Sequence, residues 1–209
     1  MSSVAHVIPI TFAVIHDDEP ANVTVSFTDN ADVASSTRWR VPALADELMR
    51  IRAADAREFA LLAAKRWRHY RDTYTAALSL AQLRQMIATD ALGEYCFHLK
   101  VTADWFPASL GGAMVRRTWS HHLMIDFLFA HPQVCSRVVN VKSIGINLLR
   151  ATCLIAETLG CKRVWGEATE DSAPFYQHHL GGTVEDMFAI EKEMIHRLAS
   201  SLASKRQSP

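Results

Sequence analysis

Two short segments in the second half of the chain carry the residues whose types and spacing are suited to chemistry. The first, residues 142–147, follows a strand-like stretch and places a lysine, a serine and a glycine at the start of an apolar helix. The amides and the positive dipole end of such a helix N-terminus can bind a phosphate group. The second, residues 169–176, places a tyrosine just after another predicted strand. Together the segments indicate an enzyme that binds a phosphorylated cofactor.

The glycine turn alone leaves two interpretations open, because Gly145 could serve plain helix capping as well as phosphate binding. Its context includes Lys142 just before the turn, Ser143 as a cap and an apolar helix behind them. The candidate phosphate contacts, should the turn bind one, are its six consecutive residues: Lys142, Ser143, Ile144, Gly145, Ile146 and Asn147.

The composition is that of an ordinary globular protein without a strong overall charge. The chain has 209 residues, of which 49% are apolar and 21% are charged, and its 22 basic residues balance 22 acidic ones. This balance provides no field that would attract nucleic acid or an anionic membrane. No apolar run approaches the roughly 20 residues needed to span a bilayer. The sequence therefore predicts one soluble domain with an N-terminal elaboration.

The cysteines and histidines indicate neither disulfides nor a metal. The four cysteines are irregularly spaced without a C-x-x-C pair, and the N-terminus lacks the pattern of a signal peptide, so we expect a cytoplasmic protein. His121 and His122 are adjacent on a predicted strand and point to opposite faces, so they cannot bind one ion together. No metal site is expected.

The hydrophobic pattern predicts a mixed order of strands and helices. Strands are predicted at residues 4–15, 22–27, 94–102, 112–118, 121–129 and 163–167. The turn residues Asp17 and Asp18 between the first two predict a hairpin or a first strand. Helices are predicted from residue 42 onward and at 74–87, 145–159 and 172–179. Residues 29–37 are predicted to be a loop, and the pattern of 187–199 fits either a hairpin or a helix. This order is typical of a mixed α/β domain.

Three segments in this order resemble the GNAT superfamily of acyl-CoA-dependent N-acetyltransferases. They are residues 128–132, the turn Lys142-x-x-Gly145-x-Asn147, and Ser172-x-x-Phe175-Tyr176 before Leu180-Gly181. The resemblance covers about residues 94–199. It implies an α/β (α+β) fold with a mixed, splayed central sheet flanked by helices. The implied organisation is a β-rich extension at 1–36, an acyltransferase domain at 37–199 and a flexible tail at 200–209.

The resemblance also implies roles for individual residues toward acetyl-CoA or another acyl-CoA. Backbone groups of Phe129 and Ala130 would pair with pantetheine, and the turn at 142–147 would hold the pyrophosphate. Thr169 stands where the family has a cofactor-facing asparagine, and Ser172 belongs to the same cofactor-binding motif.

The family tyrosine that protonates the departing thiolate falls on Tyr176, although a core aromatic role is the alternative.

This chain departs from the family pattern at both ends of the phosphate turn. Lys142 replaces the usual Gln or Arg, and Asn147 replaces a glycine or alanine where close backbone approach is wanted. The connection from Pro132 to Gly145 is also longer than usual, and residues 133–140 are predicted to form an extra flap.

Two carboxylates are candidates for the base that deprotonates an ammonium group. Asp126 lies in an apolar run, and strand alternation predicts that it shares a face with Met124 and Leu128. The alternative is a structural Asp126 paired with Arg116 or Arg117 on the neighbouring strand. Glu167, at the end of the next strand, is the second candidate.

The resulting hypothesis is direct transfer of an acetyl group from acetyl-CoA to a primary amine in a ternary complex. The acceptor is a small-molecule amine or a protein amine. It would bind in pockets formed by residues 41–90 and 105–112. No nucleic-acid or membrane partner is expected, and a homodimer is frequent among similar proteins. The alternatives are a weak or inactive module of this fold that binds acyl-CoA or a protein partner, and an unrelated α/β domain without CoA binding.

Overall fold

The computed structural model describes residues 8–203, which form one mixed sheet covered by helices on both faces. The strands in chain order are β1 (Ile10–His16), β2 (Glu19–Phe27), β3 (Ala76–Ala77), β4 (Tyr95–Ala103), β5 (Phe106–Arg117), β6 (Leu123–Ala130), β7 (Val141–Lys142), β8 (Arg163–Glu167) and β9 (Met187–Glu191). The helices are α1 (Asn30–Ser36), α2 (Glu47–Asp72), α3 (Leu80–Thr89), α4 (Pro132–Cys135), α5 (Ile144–Leu159), α6 (Ala173–Leu180) and α7 (Lys192–Ala203).

The sheet is mixed, and it opens between two neighbouring strands. The strand order is β7-β1-β2-β4-β5-β6-β8-β9, with β3 paired to β4 at the side. Strands β6 and β8 run parallel and pair only from Leu123 to Ile125 on β6 and from Val164 to Gly166 on β8. Beyond Ile125 the two strands part. The predicted fold class, a mixed α/β fold with a splayed central sheet, is confirmed.

Two groups of buried side chains cover the two faces of the sheet. The larger group joins β1, β2 and the inward side of β4 and β5 to α3, α5, α6 and α7. The smaller group joins α1 and α2 to the other face, with Trp67 and Phe129 among its members. Helix α2 has five buried alanines, and three of them, Ala60, Ala63 and Ala64, belong to the smaller group, which lets the helix backbone approach the strands closely. In the described part of the chain, no helix is both long and apolar enough to cross a lipid bilayer.

The N-terminal strands form the predicted hairpin and join the main sheet. Asp17 and Asp18 adopt positive φ angles of 49° and 63°, which suit the two central residues of a tight hairpin turn. Strand β2 then pairs with β4 through residues 24–27, so the segment assigned to an extension is part of the same sheet. The beginning of the strand predicted at 4–15 lies outside the described residues.

The predicted loop at 29–37 is wrong, because these residues form α1. Asp29 accepts a hydrogen bond from the Asp32 amide, and the Asp32 side chain accepts one from the Asp29 amide. This reciprocal cap stabilises a short helix whose sequence has no obvious apolar period. The following long helix begins at Glu47, after the Asp46 cap, rather than at Pro42.

Residues 187–199, for which the sequence pattern fitted either a hairpin or a helix, contain a strand followed by a helix. Residues 187–191 form β9, which pairs antiparallel with β8, and α7 follows directly. The helix continues to Ala203 and so enters the predicted tail, whose remaining residues, 204–209, lie outside the described part of the chain.

A β-bulge on β6 lies at the point where this strand leaves β8. Met114 of β5 pairs with Phe127, whereas the next residue, Val115, pairs with Ile125, so Asp126 is the additional residue. A bulge of this kind bends the strand and reverses which face the following side chains occupy. Ile125 and Leu128 accordingly pack with the larger core group, whereas Phe129 packs with the smaller one.

We predict that Gly166→Ala weakens the fold at the last paired position before the strands part. An added Cβ would lie 2.7 Å from the Ile125 carbonyl oxygen and 3.0 Å from the Phe188 ring. Because the backbone oxygen cannot move away cheaply, we expect a loss of about 1–3 kcal/mol in the free energy of unfolding, measured by urea denaturation. The control is Ala189→Ser, an exposed position on the neighbouring strand. An unchanged midpoint for Gly166→Ala would contradict the prediction.

Candidate functional site

A cavity of about 460 Å³ lies beside the parted ends of β6 and β8. One wall is the end of β6, with Leu128, Phe129 and Ala130, and another is the segment before α6, with Thr169 and Ser172. The structure thus brings together four residues that were predicted separately as cofactor contacts, Phe129, Ala130, Thr169 and Ser172. The volume of the cavity falls within the range of about 300–1,000 Å³ typical of small-molecule sites.

The backbone of β6 has one free edge along this cavity. Strand β5 pairs with β6 as far as Ala130, whereas β8 pairs with it only as far as Ile125. From Asp126 onward, the edge that faces β8 has no strand partner. Unpaired N–H and C=O groups at a strand edge can bind an extended molecule that contains amide groups.

Thr169 and Ser172 hold each other in place on the opposite wall. The Thr169 amide donates to Ser172 Oγ at 2.8 Å, and the Ser172 amide donates to Thr169 Oγ1 at 3.3 Å. These bonds fix the turn that leads into α6, so both hydroxyl groups are positioned by local structure.

The predicted phosphate turn has an uncapped helix N-terminus. Ser143, the residue before α5, adopts a left-handed conformation with φ of 74°, and its side chain makes no capping hydrogen bond. The Asn147 amide donates to the Ser143 carbonyl at 3.2 Å. The amides of Ile144, Gly145 and Ile146, which precede it, have no acceptor among the described residues. Three amides and the positive end of a 16-residue helix are therefore available for an anion.

Gly145 allows α6 to pack against this turn. A Cβ at Gly145 would lie 3.2 Å from the ring of Phe175, which is tighter than ordinary contact. The absence of a side chain therefore allows the predicted phosphate turn and the Phe175-Tyr176 motif to lie in contact.

The N-terminal hairpin supports the connection that precedes the turn. Strand β7 pairs with β1, and the Asp17 amide donates to the Asn140 carbonyl at 2.9 Å. Lys142 Nζ lies 3.0 Å from the Asp18 carboxylate, and both side chains are well exposed. The segment predicted as a flap begins with the short α4, which is capped by His131. The Lys142 side chain is thus oriented toward the hairpin rather than toward a buried partner.

The Asn147 side chain does not cover the turn. It is fully buried, and its Oδ1 accepts a hydrogen bond from Arg150 at 3.1 Å. Its Nδ2 is also buried and has no partner within residues 8–203. The Asn147 amide group is therefore an unsatisfied donor close to the uncapped amides. A buried donor without an acceptor costs about 1–3 kcal/mol of folding stability.

Tyr176 is buried next to the cavity rather than on its wall. Its ring stacks on Phe188 at 3.9 Å and contacts Phe175 edge to face. Burial raises the pKa of the Tyr176 hydroxyl, so it is protonated at any physiological pH. The buried location of Tyr176 favours the alternative of a core aromatic residue. The hydroxyl nevertheless keeps its proton, as a proton donor must. The role of Tyr176 as an acid stays a prediction.

Asp126 has the geometry of the ion-paired alternative. Arg116 binds it in bidentate fashion at 2.7 and 2.8 Å, Arg66 of α2 lies 3.1 Å away, and the Asp126 side chain is completely buried. Arg117, the other arginine considered, donates instead to the Gly93 carbonyl and to His121. These bonds direct the Asp126 carboxylate toward guanidinium groups and not toward the cavity. Its role as a base stays a prediction.

The expected neighbours of Asp126 are partly wrong. Met124 lies on the same side, since its sulfur is 3.0 Å from Arg116 Nη2, but Leu128 packs on the other face. The bulge at Asp126 is the reason, because it interrupts the alternation on which the expectation depended.

The ion pair extends into a network that connects α2 to the sheet. Arg116 also donates to Glu94 at 3.1 Å, and the hydroxyl of Tyr70 on α2 donates to the same carboxylate. Burial, followed by the bond to Glu94, raises the pKa of Tyr70 to about 12. Helix α2 is therefore fixed against β5 and β6 by charged and polar groups as well as by apolar contact.

Glu167, the second candidate base, is exposed at the end of β8 and pairs in register with Met187 of β9. It does not line the cavity. The carboxylates that do line it were not singled out from the sequence: they are Asp55 and Glu58 of α2, and Asp171. The sequence signal that could have identified Asp55 and Glu58 is the acidic and aromatic face of the helix predicted within residues 41–90.

No metal site is evident in the part of the chain that the structure describes, since no three His, Cys, Asp or Glu side chains form a suitable group. The four cysteines are unpaired. Cys135 contributes to the cavity wall, and burial raises the pKa of its thiol.

Neither a protein-family model nor a curated protein sequence matches the chain. Several solved structures with a similar fold are acetyltransferases. One, from Bacillus cereus, is 24% identical with a TM-score of 0.39, over 54% of this chain and 86% of that one. A putative GNAT-family acetyltransferase from Desulfovibrio desulfuricans is 12% identical with a TM-score of 0.45, over 81% and 98% of the two chains.

The PaiA N-acetyltransferase from Thermoplasma acidophilum, solved in complex with coenzyme A, is also 12% identical with a TM-score of 0.45, over 81% of this chain and 99% of that one. The GNAT superfamily, which the sequence resembles, is named for one of these structures, the protein from Desulfovibrio desulfuricans. At these identities the similarity concerns the fold alone.

We predict that Asp126→Asn destabilises the protein strongly. The substitution removes the buried charge that Arg116 and Arg66 share and leaves Arg116 with Glu94 alone, for which we expect a loss of about 3 kcal/mol in the free energy of unfolding. Chemical denaturation provides the measurement, and Glu47→Gln, an exposed acid of the same protein, provides the control. A loss below about 0.5 kcal/mol would show that the pair contributes little to the fold.

Proposed function

We propose that the protein is a GNAT-type N-acetyltransferase that moves an acetyl group from acetyl-CoA to a primary amine. The observation that carries the proposal is the uncapped amide turn of α5 beside two strands that part to leave a cavity. The start of α5 and the end of β6 lie close together, since a Cβ on Gly111 would lie 3.1 Å from Ala130 and 3.2 Å from Ile144, and the cavity opens beside the β6 edge. An anion site, a free strand edge and an open cavity suit a ligand with a diphosphate, an amide-containing arm and a reactive end.

The residues present fit acyl-CoA. The amides of Ile144, Gly145 and Ile146 would hold the pyrophosphate, and Lys142 would add a positive charge. The free edge of Phe129 and Ala130 would bind the pantetheine arm, with Thr169 and Ser172 on the opposite wall. The buried Asn147 donor without a partner is a further unsatisfied group at this end of the helix. When bound, acyl-CoA supplies a thioester-activated acyl group.

Direct transfer without a covalent enzyme intermediate is supported by the state of the cysteines. Cys135 is the cysteine on the cavity wall, and burial raises the pKa of its thiol, which keeps it protonated and weakly nucleophilic near neutral pH. The attacking group is then the acceptor amine. We retain Tyr176 as the proposed proton donor and Asp126 or Glu167 as the proposed base.

A second candidate function is a module of the same fold that binds acyl-CoA or a protein partner without turnover. It is favoured by the position of the two predicted bases, because Asp126 is occupied by Arg116 and Arg66, and Glu167 lies off the cavity wall. An assay for free thiol over a panel of amines separates the candidates. Tight acetyl-CoA binding without thiol release on any amine would favour the module.

We predict that acetyl-CoA binds to the wild-type protein and that Asp18→Asn tightens this binding. The Asp18 carboxylate competes with a phosphate group for Lys142, so its removal frees the ammonium group. Exposed ion pairs contribute up to about 1 kcal/mol. We therefore expect the Kd for acetyl-CoA, measured by isothermal titration, to be about two- to five-fold lower in the variant. Asp17→Asn is the matched control. Absence of acetyl-CoA binding by the wild-type protein would refute the proposed function.

We predict that Tyr176→Phe lowers turnover about 100-fold while leaving the Kd for acetyl-CoA nearly unchanged. No described residue bonds to the Tyr176 hydroxyl, so stability should change by less than about 0.5 kcal/mol. Steady-state assays and denaturation measure the two effects, and Tyr74→Phe, at an 89% exposed side chain, is the control. Unchanged turnover would remove Tyr176 from the mechanism and leave it as a core aromatic.

A further inference from the structure

Three carboxylates and one guanidinium group face the cavity at its open side. Asp55, Glu58 and Arg52 come from the first half of α2, and Asp171 comes from the segment before α6. Within residues 8–203, none of the three carboxylates makes a hydrogen bond or an ion pair. They therefore differ from Asp126, whose oxygens are occupied by two arginines. The lining therefore has three acidic groups against one basic group, a balance that favours a cationic ligand.

The floor of the same cavity is apolar. Phe59 of α2 and Leu128 and Phe129 of β6 line it, and the Phe59 side chain remains 37% exposed. A large aromatic group exposed at the mouth of a cavity offers apolar surface that a ligand can cover. The cavity thus combines an apolar floor with free negative charges at its rim.

We propose that the acceptor is a small cationic amine with an apolar body, and that Asp55 and Glu58 recognise its ammonium group. The inference rests on the proposed acetyltransferase function and adds the acceptor class. The apolar body covers Phe59 of α2, while the β6 edge at Phe129 and Ala130 remains with the pantetheine arm and the two carboxylates of α2 attract the positive charge. The volume of about 460 Å³, which the acceptor shares with the end of that arm, suits a small amine and not a folded protein surface.

The same charges determine which amines are rejected. An amino acid carries a carboxylate next to its amine, and this group would face the carboxylates of Asp55, Glu58 and Asp171. Juxtaposed like charges are an effective source of specificity, because they raise the free energy of the unwanted complex. Arg52, the single cation, does not balance three carboxylates.

The experiment compares two acceptors that share one body and differ by a carboxylate, 2-phenylethylamine and L-phenylalanine. With acetyl-CoA and the wild-type protein, we expect kcat/KM to be at least about 10-fold higher for 2-phenylethylamine. For the double variant Asp55→Asn/Glu58→Gln, we expect kcat/KM for 2-phenylethylamine to fall about 10-fold, mainly through KM. The ratio of kcat/KM for 2-phenylethylamine to kcat/KM for L-phenylalanine should decrease, because the substitutions also remove the repulsion of the L-phenylalanine carboxylate.

A binding measurement and a matched control accompany the kinetics. Titration of 2-phenylethylamine into the protein without acetyl-CoA should show a Kd that rises about 10-fold in the double variant. Glu47→Gln changes an exposed acid of the same helix that pairs with Arg50 and does not line the cavity. It should alter neither value. All of the substituted side chains are exposed, so loss of folding is not expected.

The outcomes separate the acceptor class from the reaction. Thiol release that is insensitive to the double substitution, or that is equally fast with L-phenylalanine, overturns the proposed acceptor class and leaves the acetyltransferase proposal intact. Preference for a peptide amine over 2-phenylethylamine overturns it in the same way. A protein that binds no acetyl-CoA overturns both proposals together.

Discussion

The buried pair between Asp126 and Arg116 fixes the position on which the rest of the site depends. Asp126 is the additional residue of the bulge at which β6 leaves β8, and its carboxylate is held by β5 through Arg116 and by α2 through Arg66. A buried carboxylate is tolerated only where its charge is compensated, so the strand cannot slip by one residue without exposing an unpaired charge to the core. The register of β6, the opening of the sheet and the placement of α2 are therefore coupled.

The parted strands explain why the other parts of the site lie where they do. Because β8 leaves β6 after three paired residues, the end of β6 keeps a free backbone edge, and the segment before α6 stands across from it. The N-terminal hairpin contributes from the far side of the sheet, where β1 pairs with β7 just before the uncapped turn of α5. Strands distant in the sequence thus hold the amide turn in a defined orientation, which lowers the entropic cost of binding an anion there.

Helix α2 has two functions in this arrangement. Its alanine-rich side packs on the sheet with Trp67, while its opposite side supplies Asp55, Glu58 and Phe59 to the cavity. The network from Tyr70 and Arg66 to Glu94, Arg116 and Asp126 fixes the rotation of the helix about its axis. The same contacts that stabilise the fold therefore determine which side chains meet an acceptor.

The sequence by itself determined most of the elements and the place of the phosphate turn. Local signals are sufficient for these features: a turn of two aspartates for the hairpin, apolar runs for β4 to β6, and a glycine before an apolar helix for α5. The reciprocal cap of α1 was missed, because Asp29 and Asp32 resemble an ordinary polar loop. Only the tertiary structure decided that Asp126 is the bulged residue paired with Arg116, that Tyr176 is buried against Phe188, and that α2 supplies the free carboxylates. Each of these depends on contacts between segments far apart in the chain, and a bulge of one residue reverses the faces that alternation predicts, so no local periodicity could have revealed them.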